Sequence, residues 1–238
     1  MIPGRSARFL RLAQWYAHRR VSQGLDGVYV HGLDESRALR QAQPVLYAAN
    51  HVCWWDPLVV VLLDRAIGGE GYALMDAANL QRLPFFGWAG AIALDRQRPA
   101  AARRGLKQAI SKLSAPGRGV WIFPQGEHRA PWLRPLQLLS GVRLLARQAA
   151  VQVVPVSLTY AFREAAQPSV LVCFGDPLDG RQPGLMDELE RRIADGLACN
   201  DQFLLTGAGH ATLVDAPKHD PDGGLGTWIL SMLARSLR

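Results

Sequence analysis

The sequence predicts an α/β fold in which a mixed or mainly parallel sheet is flanked by helices, with an amphipathic helix at the N-terminus. Short apolar segments alternate with helical patterns along most of the 238 residues, as expected of strand–helix units. Hydrophobic residues make up 49% of the chain and charged residues 20%, a balance that excludes a disordered protein. No apolar run approaches the roughly 18 residues of a membrane-spanning helix, so the chain is expected to be soluble or to lie on a surface.

The first predicted element is an amphipathic helix over residues 5–21. Its apolar residues, among them Phe9 and Trp15, recur every three or four positions, and arginines surround them. Two interpretations of this helix stay open. It lies in a membrane interface with its arginines on anionic lipid, or it packs on the domain with its arginines in water.

Beyond residue 25, short apolar runs alternate with longer helical patterns. Strands are predicted at 27–31, 45–49, 72–75, 91–94, 120–123, 151–160 and 170–174. Helices are predicted at 58–67, 100–113, 136–149 and 185–197, the second of them ended by Pro116 and Gly117.

The pattern after residue 200 is less regular. Residues 207–226 are rich in Gly, Asp and Pro and predict a loop. The apolar residues from Trp228 to Leu233 then predict a short helix, which is either a second membrane anchor or packed on the core. The predicted organisation is an interfacial helix at 1–24, one domain at 25–200, and a C-terminal loop with a short amphipathic helix at 201–238.

The charge balance favours an anionic partner. The chain has 27 basic and 20 acidic residues and a net charge of +7, which suits an acidic membrane surface, phosphorylated ligands or nucleic acid. No aromatic-and-basic RNA-binding motif is visible, so nucleic acid is not expected as a partner.

The cysteine and histidine residues predict neither a disulfide framework nor a metal site. Cys53, Cys173 and Cys199 are odd in number and far apart, without a CxxC motif. His31 and His210 likewise lack the spacing of metal ligands. This pattern fits a reducing compartment.

The most informative segment follows a predicted strand and opens a predicted helix. It contains His51 and Asp56, which cannot share a face of one continuous helix because five steps rotate about 500°. A turn brings them together, and Asp56 before Pro57 is typical of a helix N-cap and first helical position. Asp56 would then accept a bond from one nitrogen of His51 and leave the other as a base. By itself, this spacing is more often that of a structural histidine than of a catalytic one.

Three further segments leave predicted strands. Arg96 follows the strand at 91–94, Phe123 to Arg129 leaves the next at a Pro/Gly turn, and Pro155 breaks another. In α/β sheets, binding residues gather where strands end and loops begin. With His51, these segments predict a site for an anionic substrate.

In this order and spacing, the segments resemble the glycerolipid acyltransferases, the lysophosphatidate acyltransferase (PlsC-like) superfamily. The matching blocks are Asn-His-x4-Asp from Asn50 to Asp56, Gly-x5-Arg from Gly90 to Arg96, Phe-Pro-x-Gly from Phe123 to Gly126, and the Val-Pro-Val of residues 154–156. The resemblance covers about residues 25–200 and identifies that range as an acyltransferase domain.

The resemblance implies acyl transfer from a thioester to a hydroxyl group. His51 would be the general base, and Asp56 would orient it and stabilise its protonated form. No metal, cofactor or covalent intermediate is required, and acyl-coenzyme A or acyl carrier protein would be the co-substrate. Arginines in the blocks would hold an anionic head or the phosphates of coenzyme A. The residues expected to bind substrate are Asn50, Gly90, Arg96, Pro124, Gly126, Glu127, His128 and Arg129.

The sequence departs from the family pattern in two of these blocks. Cys53 replaces the usual serine two residues after the histidine, and it is either a nucleophile or a small residue packed near the site. Gln125 replaces a glutamate, and either Arg129 or His128 takes the place of the usual arginine. These changes leave the identity of the acceptor open.

Two tryptophans beside the histidine add a further alternative. Trp54 and Trp55 indicate a bulky apolar or sugar-bearing acceptor, or else they line the fatty-acyl groove or the core. The leading hypothesis is a peripheral membrane acyltransferase, on the cytoplasmic face of the cell membrane, that acylates lysophosphatidate or a related lysophospholipid. The alternatives are a glycolipid, aminolipid or glycosylated carotenoid acceptor, or a non-catalytic lipid-binding protein.

Overall fold

The computed structural model describes residues 4–215, in which strands and helices alternate. The strands are β1 (Val28–His31), β2 (Val45–Ala49), β3 (Glu70–Asp76), β4 (Ala91–Leu94), β5 (Arg118–Ile122), β6 (Gln152–Phe162), β7 (Pro168–Phe174), β8 (Leu178–Asp179) and β9 (Ala211–Val214). The helices are α1 (Ala7–Gly24), α2 (Leu33–Ala42), α3 (Asp56–Ile67), α4 (Ala77–Arg82), α5 (Phe86–Ala89), α6 (Pro99–Lys112), α7 (Gly141–Ala149) and α8 (Leu185–Thr206).

The strands form one sheet in the order β4-β3-β5-β2-β6-β7-β1-β9, with β8 paired to β6. The first five strands of this order pair in parallel. Strand β7 runs antiparallel to β6, β1 is parallel to β7, and β9 is antiparallel to β1. The predicted fold class, a mainly parallel sheet flanked by helices, is therefore confirmed. The carboxyl ends of the five parallel strands meet at one edge, where ligand sites of α/β sheets form.

The alternation of side chains along the strands divides the core into two layers. On one face, Tyr47 of β2 packs in the same layer as Val21 of α1 and Leu63 of α3. On the other face, its neighbour Leu46 packs in the layer that contains Leu145 of α7 and residues of α6 and α8. Helix α3 lies between the sheet and α1, so its side chains are buried on two sides. This position explains why α3 is apolar over most of its circumference.

Helix α1 packs along α3 and α5 and so belongs to the folded domain. Ala17 and Val21 are buried on its inner face, whereas Leu12, Trp15 and Tyr16 are exposed on its outer face. The helix thus packs on the domain, which was one of its two interpretations. It also exposes an apolar face to the outside. Within residues 4–215, no helix is both long and apolar enough to cross a membrane.

Two helices differ from the sequence pattern. The helix predicted at 136–149 begins only at Gly141, because the backbone of the preceding residues is bound elsewhere: Leu136 N–H to Glu190, and Leu139 N–H to the Pro124 carbonyl. Helix α2 was not predicted, because the residues that it buries fully include Ser36 rather than a row of apolar side chains.

The predicted boundary at residue 200 is also wrong. Helix α8 continues through it to Thr206, because Asn200 is buried and donates to the carbonyls of Ser157 and Leu171. Strand β9 lies within the segment predicted as a loop and pairs with β1, so residues 201–215 belong to the same domain. The short helix predicted from Trp228 lies outside the described residues.

Candidate active site

The turn between β2 and α3 brings His51 and Asp56 together. Nδ1 of His51 lies 2.6 Å from Oδ2 of Asp56. The same oxygen accepts the backbone N–H groups of Val52 and Cys53, at 2.6 and 3.1 Å. The predicted N-cap role of Asp56 is wrong, since Trp55 occupies the N-cap and the carboxylate binds the preceding turn. The contact with His51 is nevertheless the one that the spacing predicted.

The Asp56 carboxylate is fully buried and surrounded by donors. Its second oxygen, Oδ1, accepts the hydroxyl of Tyr160 at 2.7 Å. Burial and the neighbouring Asp56 charge raise the pKa of Tyr160 well above its usual 10, so the hydroxyl keeps its proton and donates it. These donors stabilise the ionised carboxylate, which only accepts hydrogen bonds. Nδ1 of His51 therefore carries the proton, and Nε2 is the free base.

Aromatic rings enclose the imidazole of His51 on two sides. Phe123 stacks on it with a centroid distance of 4.2 Å and an angle of 20°, and His128 meets it edge-on at 4.2 Å and 78°. Burial, and then the repulsion of a protonated His51, lower the pKa of His128. His128 is thus neutral near pH 7 and covers His51 without adding a second positive charge.

Two residues of the motif blocks hold the backbone rather than face the cavity. Both amide atoms of Asn50 bind the backbone of Leu158, which ties the end of β2 to β6. Gln125 accepts the N–H of His51 at 2.6 Å and donates to the carbonyl of Leu136 at 3.1 Å. A glutamate could not donate this second bond, so the departure at Gln125 fits a structural bridge. Asn50 is buried and binds the backbone through both its amide nitrogen and its amide oxygen, a structural role in place of the expected contact with substrate.

The loop after β5 meets the end of β4 through a glycine. Nη2 of Arg96 donates to the Gly126 carbonyl at 2.8 Å. Gly126 has a φ of 72°, a conformation that favours glycine, and a Cβ there would displace the Arg96 guanidinium, which lies 2.1 Å away. Pro124 is buried, whereas Glu127 is exposed and pairs with Arg129 at 3.3 Å. Arg96 is therefore fixed, but exposed, near the motif loop.

Arg129 anchors the same loop to the turn that contains His51. Its N–H donates to the His51 carbonyl at 2.8 Å, and Nη1 donates to Gln137 at 2.5 Å. Its Nε is buried and finds no hydrogen-bond partner among residues 4–215. An open cavity of about 330 Å³ adjoins this guanidinium. Its lining residues are Val52, His128, Arg129, Ala130, Pro131, Trp132 and Tyr160.

The structure separates Gly90 from the other predicted site residues. It precedes β4, whereas Arg96 follows it, so the two lie at opposite edges of the parallel sheet. Gly90 has a φ of 106°, and a Cβ there would lie 2.9 Å from the Gly71 carbonyl oxygen. It shapes the turn between α5 and β4, which corrects the expectation that Gly90 contacts substrate.

The residues between His51 and Asp56 are partly buried, except Trp54, which is exposed. Burial and the Asp56 charge raise the pKa of the Cys53 thiol, which favours a packed residue over a nucleophile. Trp55 packs against α1, since a Cβ on Gly24 would lie 2.4 Å from its ring. Trp54 is 59% exposed beside the turn.

Sequence reasoning missed the contribution of Tyr160. It was predicted only as the last residue of a strand, 104 positions from the carboxylate that it binds. A polar aromatic residue that ends a long apolar run, at the carboxyl edge of a parallel sheet, is a usable signal for such a role.

Comparisons with known proteins identify the family and agree with the fold. The sequence matches the model of the acyltransferase family over residues 27–159, which is more than half of the chain. The structure is similar to the 1-acyl-sn-glycerophosphate (LPA) acyltransferase PlsC from Thermotoga maritima, with a TM-score of 0.59 and 18% identity, over 79% of this chain and 78% of that one. No curated protein matches the sequence.

Proposed function

Because the chain belongs to the acyltransferase family, we propose that it moves a fatty acyl group from acyl-coenzyme A or acyl carrier protein to the hydroxyl of a lysophospholipid, such as 1-acyl-glycerol-3-phosphate. The observation that carries this proposal is the 2.6 Å contact between Nδ1 of His51 and the fully buried Asp56 carboxylate. A histidine fixed in this way leaves Nε2 free as a proton acceptor. Its neighbour His128 lines the open cavity. The proposed reaction uses no resident metal or cofactor.

The proposed reaction is a direct transfer. As the acceptor oxygen bonds to the thioester carbonyl carbon, Nε2 of His51 takes the hydroxyl proton, and Asp56 stabilises the imidazolium. When the tetrahedral intermediate collapses, the carbon–sulfur bond breaks, and the departing thiolate takes the proton from His51. The pair returns to its starting state, and no acyl-enzyme forms. The raised pKa of Cys53 supports this direct route.

We assign the phosphate of the acceptor to Arg129. The guanidinium of this residue adjoins the open cavity and can donate a hydrogen bond to a ligand there. A phosphate oxygen in the adjoining cavity would accept this bond with charge assistance. Arg96 lies outside the cavity lining and is left to attract the donor's phosphates.

The proposal places the protein on the cytoplasmic face of the cell membrane, as a peripheral protein. Trp15 is 58% exposed and Leu12 56% exposed on the outer face of α1, although this helix is packed on its inner face. A net charge of +7 favours anionic lipid. The proposed acceptor and product both carry acyl chains and reside in the membrane. A protein bound to the membrane surface can therefore take its acceptor from there.

A glycolipid acceptor is the second candidate. Trp132 lines the cavity and is 77% exposed, and Trp54 is 59% exposed on the catalytic turn. Exposed indole rings offer apolar faces against which a sugar ring can pack. A glycolipid would use these faces in place of the Arg129 guanidinium.

The experiment is thiol release from palmitoyl-coenzyme A by the purified chain in the presence of vesicles, with lysophosphatidate, other lysophospholipids and glycolipids as acceptors. We expect Arg129→Gln to raise the KM for lysophosphatidate by about 10- to 100-fold, the value of a hydrogen bond to a charged group. Arg181→Gln, an exposed arginine in a distant turn, is the matched control. Release only with glycolipids would transfer the function to the second candidate. No release with any acceptor, and with either kind of donor, would leave only a lipid-binding role.

A further inference from the structure

A second histidine cluster lies on the face of the sheet that α8 covers. A ring nitrogen of His31 and the sulfur atoms of Cys173 and Cys199 all lie within 4.8 Å of one another. They come from β1, β7 and α8, which are distant in sequence and adjacent in the fold. Their separation in sequence, which predicted no metal site, therefore does not keep these residues apart in the fold.

Strand register brings these side chains to one face. His31 pairs with Cys173 across the parallel β1–β7 ladder, so the two side chains point the same way. That direction is toward α8, because a Cβ on Gly196 would lie 3.5 Å from the Cβ of Cys173. Cys199 follows Gly196 by three positions and so projects from the same side of the helix.

A backbone carbonyl fixes the state of the His31 ring. Nδ1 of His31 lies 2.7 Å from the Gly209 carbonyl oxygen, and a carbonyl only accepts, so Nδ1 carries the proton. The lone pair of the neutral ring is then on Nε2. In metal sites, a carbonyl that accepts from the other ring nitrogen orients a histidine ligand in this way. Gly209 has a φ of 99°, a conformation that favours glycine and turns its carbonyl to this position.

We propose that His31, Cys173 and Cys199 form a binding site for a thiophilic divalent cation, with Zn²⁺ as the best match. Two thiolates and one imidazole are ligands that zinc prefers. In a tetrahedral zinc site, neighbouring ligand atoms are roughly 3.5–3.8 Å apart, which small side-chain rotations reach from the observed cluster. This site is independent of the proposed acyl transfer.

Charge favours the divalent cation in this place. Binding displaces one proton from each thiol, and the two thiolates neutralise the two charges of Zn²⁺. Cys173 is only 5% exposed, so a neutral complex avoids the cost of a buried net charge. Burial and Cys199 raise the pKa of Cys173, which keeps the thiol protonated until a cation displaces its proton.

His210 is the residue best placed to supply a fourth ligand. Its ring centroid is 5.7 Å from that of His31. Its Nε2 contacts Asn200, while Nδ1 is buried and has no hydrogen-bond partner among residues 4–215. Burial, and then the charge of His31 when protonated, lower the pKa of His210 to about 4, so the ring is neutral at pH 7. A neutral ring is the form that binds metal.

Titration of the reduced, chelator-treated full chain with Co²⁺ tests this proposal, because cobalt thiolates give intense near-ultraviolet charge-transfer absorption. We expect one Co²⁺ per chain, displaced by one Zn²⁺. Cys199→Ser and His31→Ala are each expected to weaken binding by more than about 100-fold, since loss of a ligand costs more than loss of a group that only hydrogen-bonds to a ligand. Both residues are at least partly exposed, so these variants keep the fold more safely than a change at the buried Cys173.

Cys53→Ser and His18→Ala are the matched controls, because both residues lie outside the cluster. Both controls are expected to bind Co²⁺ like the wild type. Thermal unfolding of each metal-free variant separates lost binding from lost structure. The proposal is overturned if the reduced wild type shows no thiolate band, or if the band survives in folded Cys199→Ser and His31→Ala. A Cys173–Cys199 disulfide in untreated protein, together with no cobalt binding after reduction, would assign the pair to redox chemistry instead.

Discussion

Two histidines in this molecule share one local arrangement and differ in what surrounds it. His51 donates its Nδ1 proton to the Asp56 carboxylate, and His31 donates its Nδ1 proton to the Gly209 carbonyl. Each neutral ring therefore has a free lone pair on Nε2. The buried carboxylate beside His51 stabilises a positive ring, so His51 is suited to take and return a proton. The two thiols beside His31 offer further ligands, so His31 is suited to hold a cation.

The difference teaches that the tautomer alone does not define the chemistry of a histidine. A carbonyl and a carboxylate both fix the proton on Nδ1, but only the carboxylate carries a full negative charge. That charge stabilises the imidazolium that forms when Nε2 takes a proton. The surroundings of the cysteines also differ between the two sites. Cys53 lies next to Asp56, which opposes a thiolate there, whereas Cys173 and Cys199 lie together on another face of the sheet.

The largest effect is expected from removal of the negative charge at the His51–Asp56 pair. Asp56→Asn should lower kcat by about 10²- to 10⁴-fold, because an amide neither fixes Nδ1–H reliably nor stabilises the imidazolium. It should also lower the free energy of unfolding by about 1–3 kcal/mol, since an amide N–H cannot accept from the surrounding donors. Steady-state kinetics and thermal unfolding measure the two effects.

Asp201→Asn is the control for this change, because Asp201 is exposed on α8. Cobalt binding should be the same in both variants. An Asp56→Asn enzyme with wild-type kcat would remove the distinction between the two histidines.

A smaller effect is expected from Tyr160→Phe. This variant removes the hydroxyl that donates to Oδ1 of Asp56 at 2.7 Å and leaves the backbone donors on Oδ2. We expect kcat to fall by about 10-fold and the free energy of unfolding by about 1.5–3 kcal/mol, the value of a hydrogen bond to a charged group. Kinetics with saturating donor and acceptor separate kcat from KM. An unchanged kcat would show that the backbone N–H groups hold Asp56 unaided.

Serine substitutions compare the cysteines of the two sites. Cys53→Ser should leave kcat within about 2-fold of the wild type, as expected of a packed residue without a chemical role. The same variant should bind cobalt normally, whereas Cys199→Ser should keep activity and lose cobalt. An inactive but folded Cys53→Ser would revive the nucleophile that the direct mechanism excludes.

The smallest effect concerns the stability of the second cluster at low pH. The pKa of His210 is lowered to about 4, so between pH 6.5 and 4 the unfolded chain takes up a proton at this residue that the folded chain does not. Stability should therefore fall as the pH drops through this window, by about 1 kcal/mol after allowance for the solvent screening of a half-exposed ring. Urea unfolding of metal-free wild type and His210→Gln, at a series of pH values, measures the difference. Equal slopes in both proteins would contradict it.

The local part of the catalytic site was predictable from the sequence. His51 and Asp56 lie on one short turn, so their five-residue spacing and the flanking strand and helix predicted their contact. The strand ends that carry Arg96 and the loop at Gly126 followed from the alternation of elements. Gly90 shows the limit of this reasoning. It belongs to the same sequence motif as Arg96, but the two residues lie at opposite ends of β4.

The remaining features depend on register and long-range contact. Tyr160 meets Asp56 only because β6 extends beyond its pairing with β2. His31 meets Cys173 only because β1 inserts next to β7, a pairing that sequence spacing does not encode. Neither the pairing of strands nor the face of a helix far along the chain can be read from local periodicity.

The most direct test of the central claim is the turnover rate of His51→Ala, measured beside His31→Ala. Thiol release from palmitoyl-coenzyme A with lysophosphatidate should fall by about 10²- to 10⁴-fold in His51→Ala and stay at the wild-type rate in His31→Ala. Both variants should unfold at nearly the temperature of the wild type, which ensures that a lost rate reflects lost chemistry. A folded His51→Ala that turns over at the wild-type rate would contradict the assignment of His51 as the base.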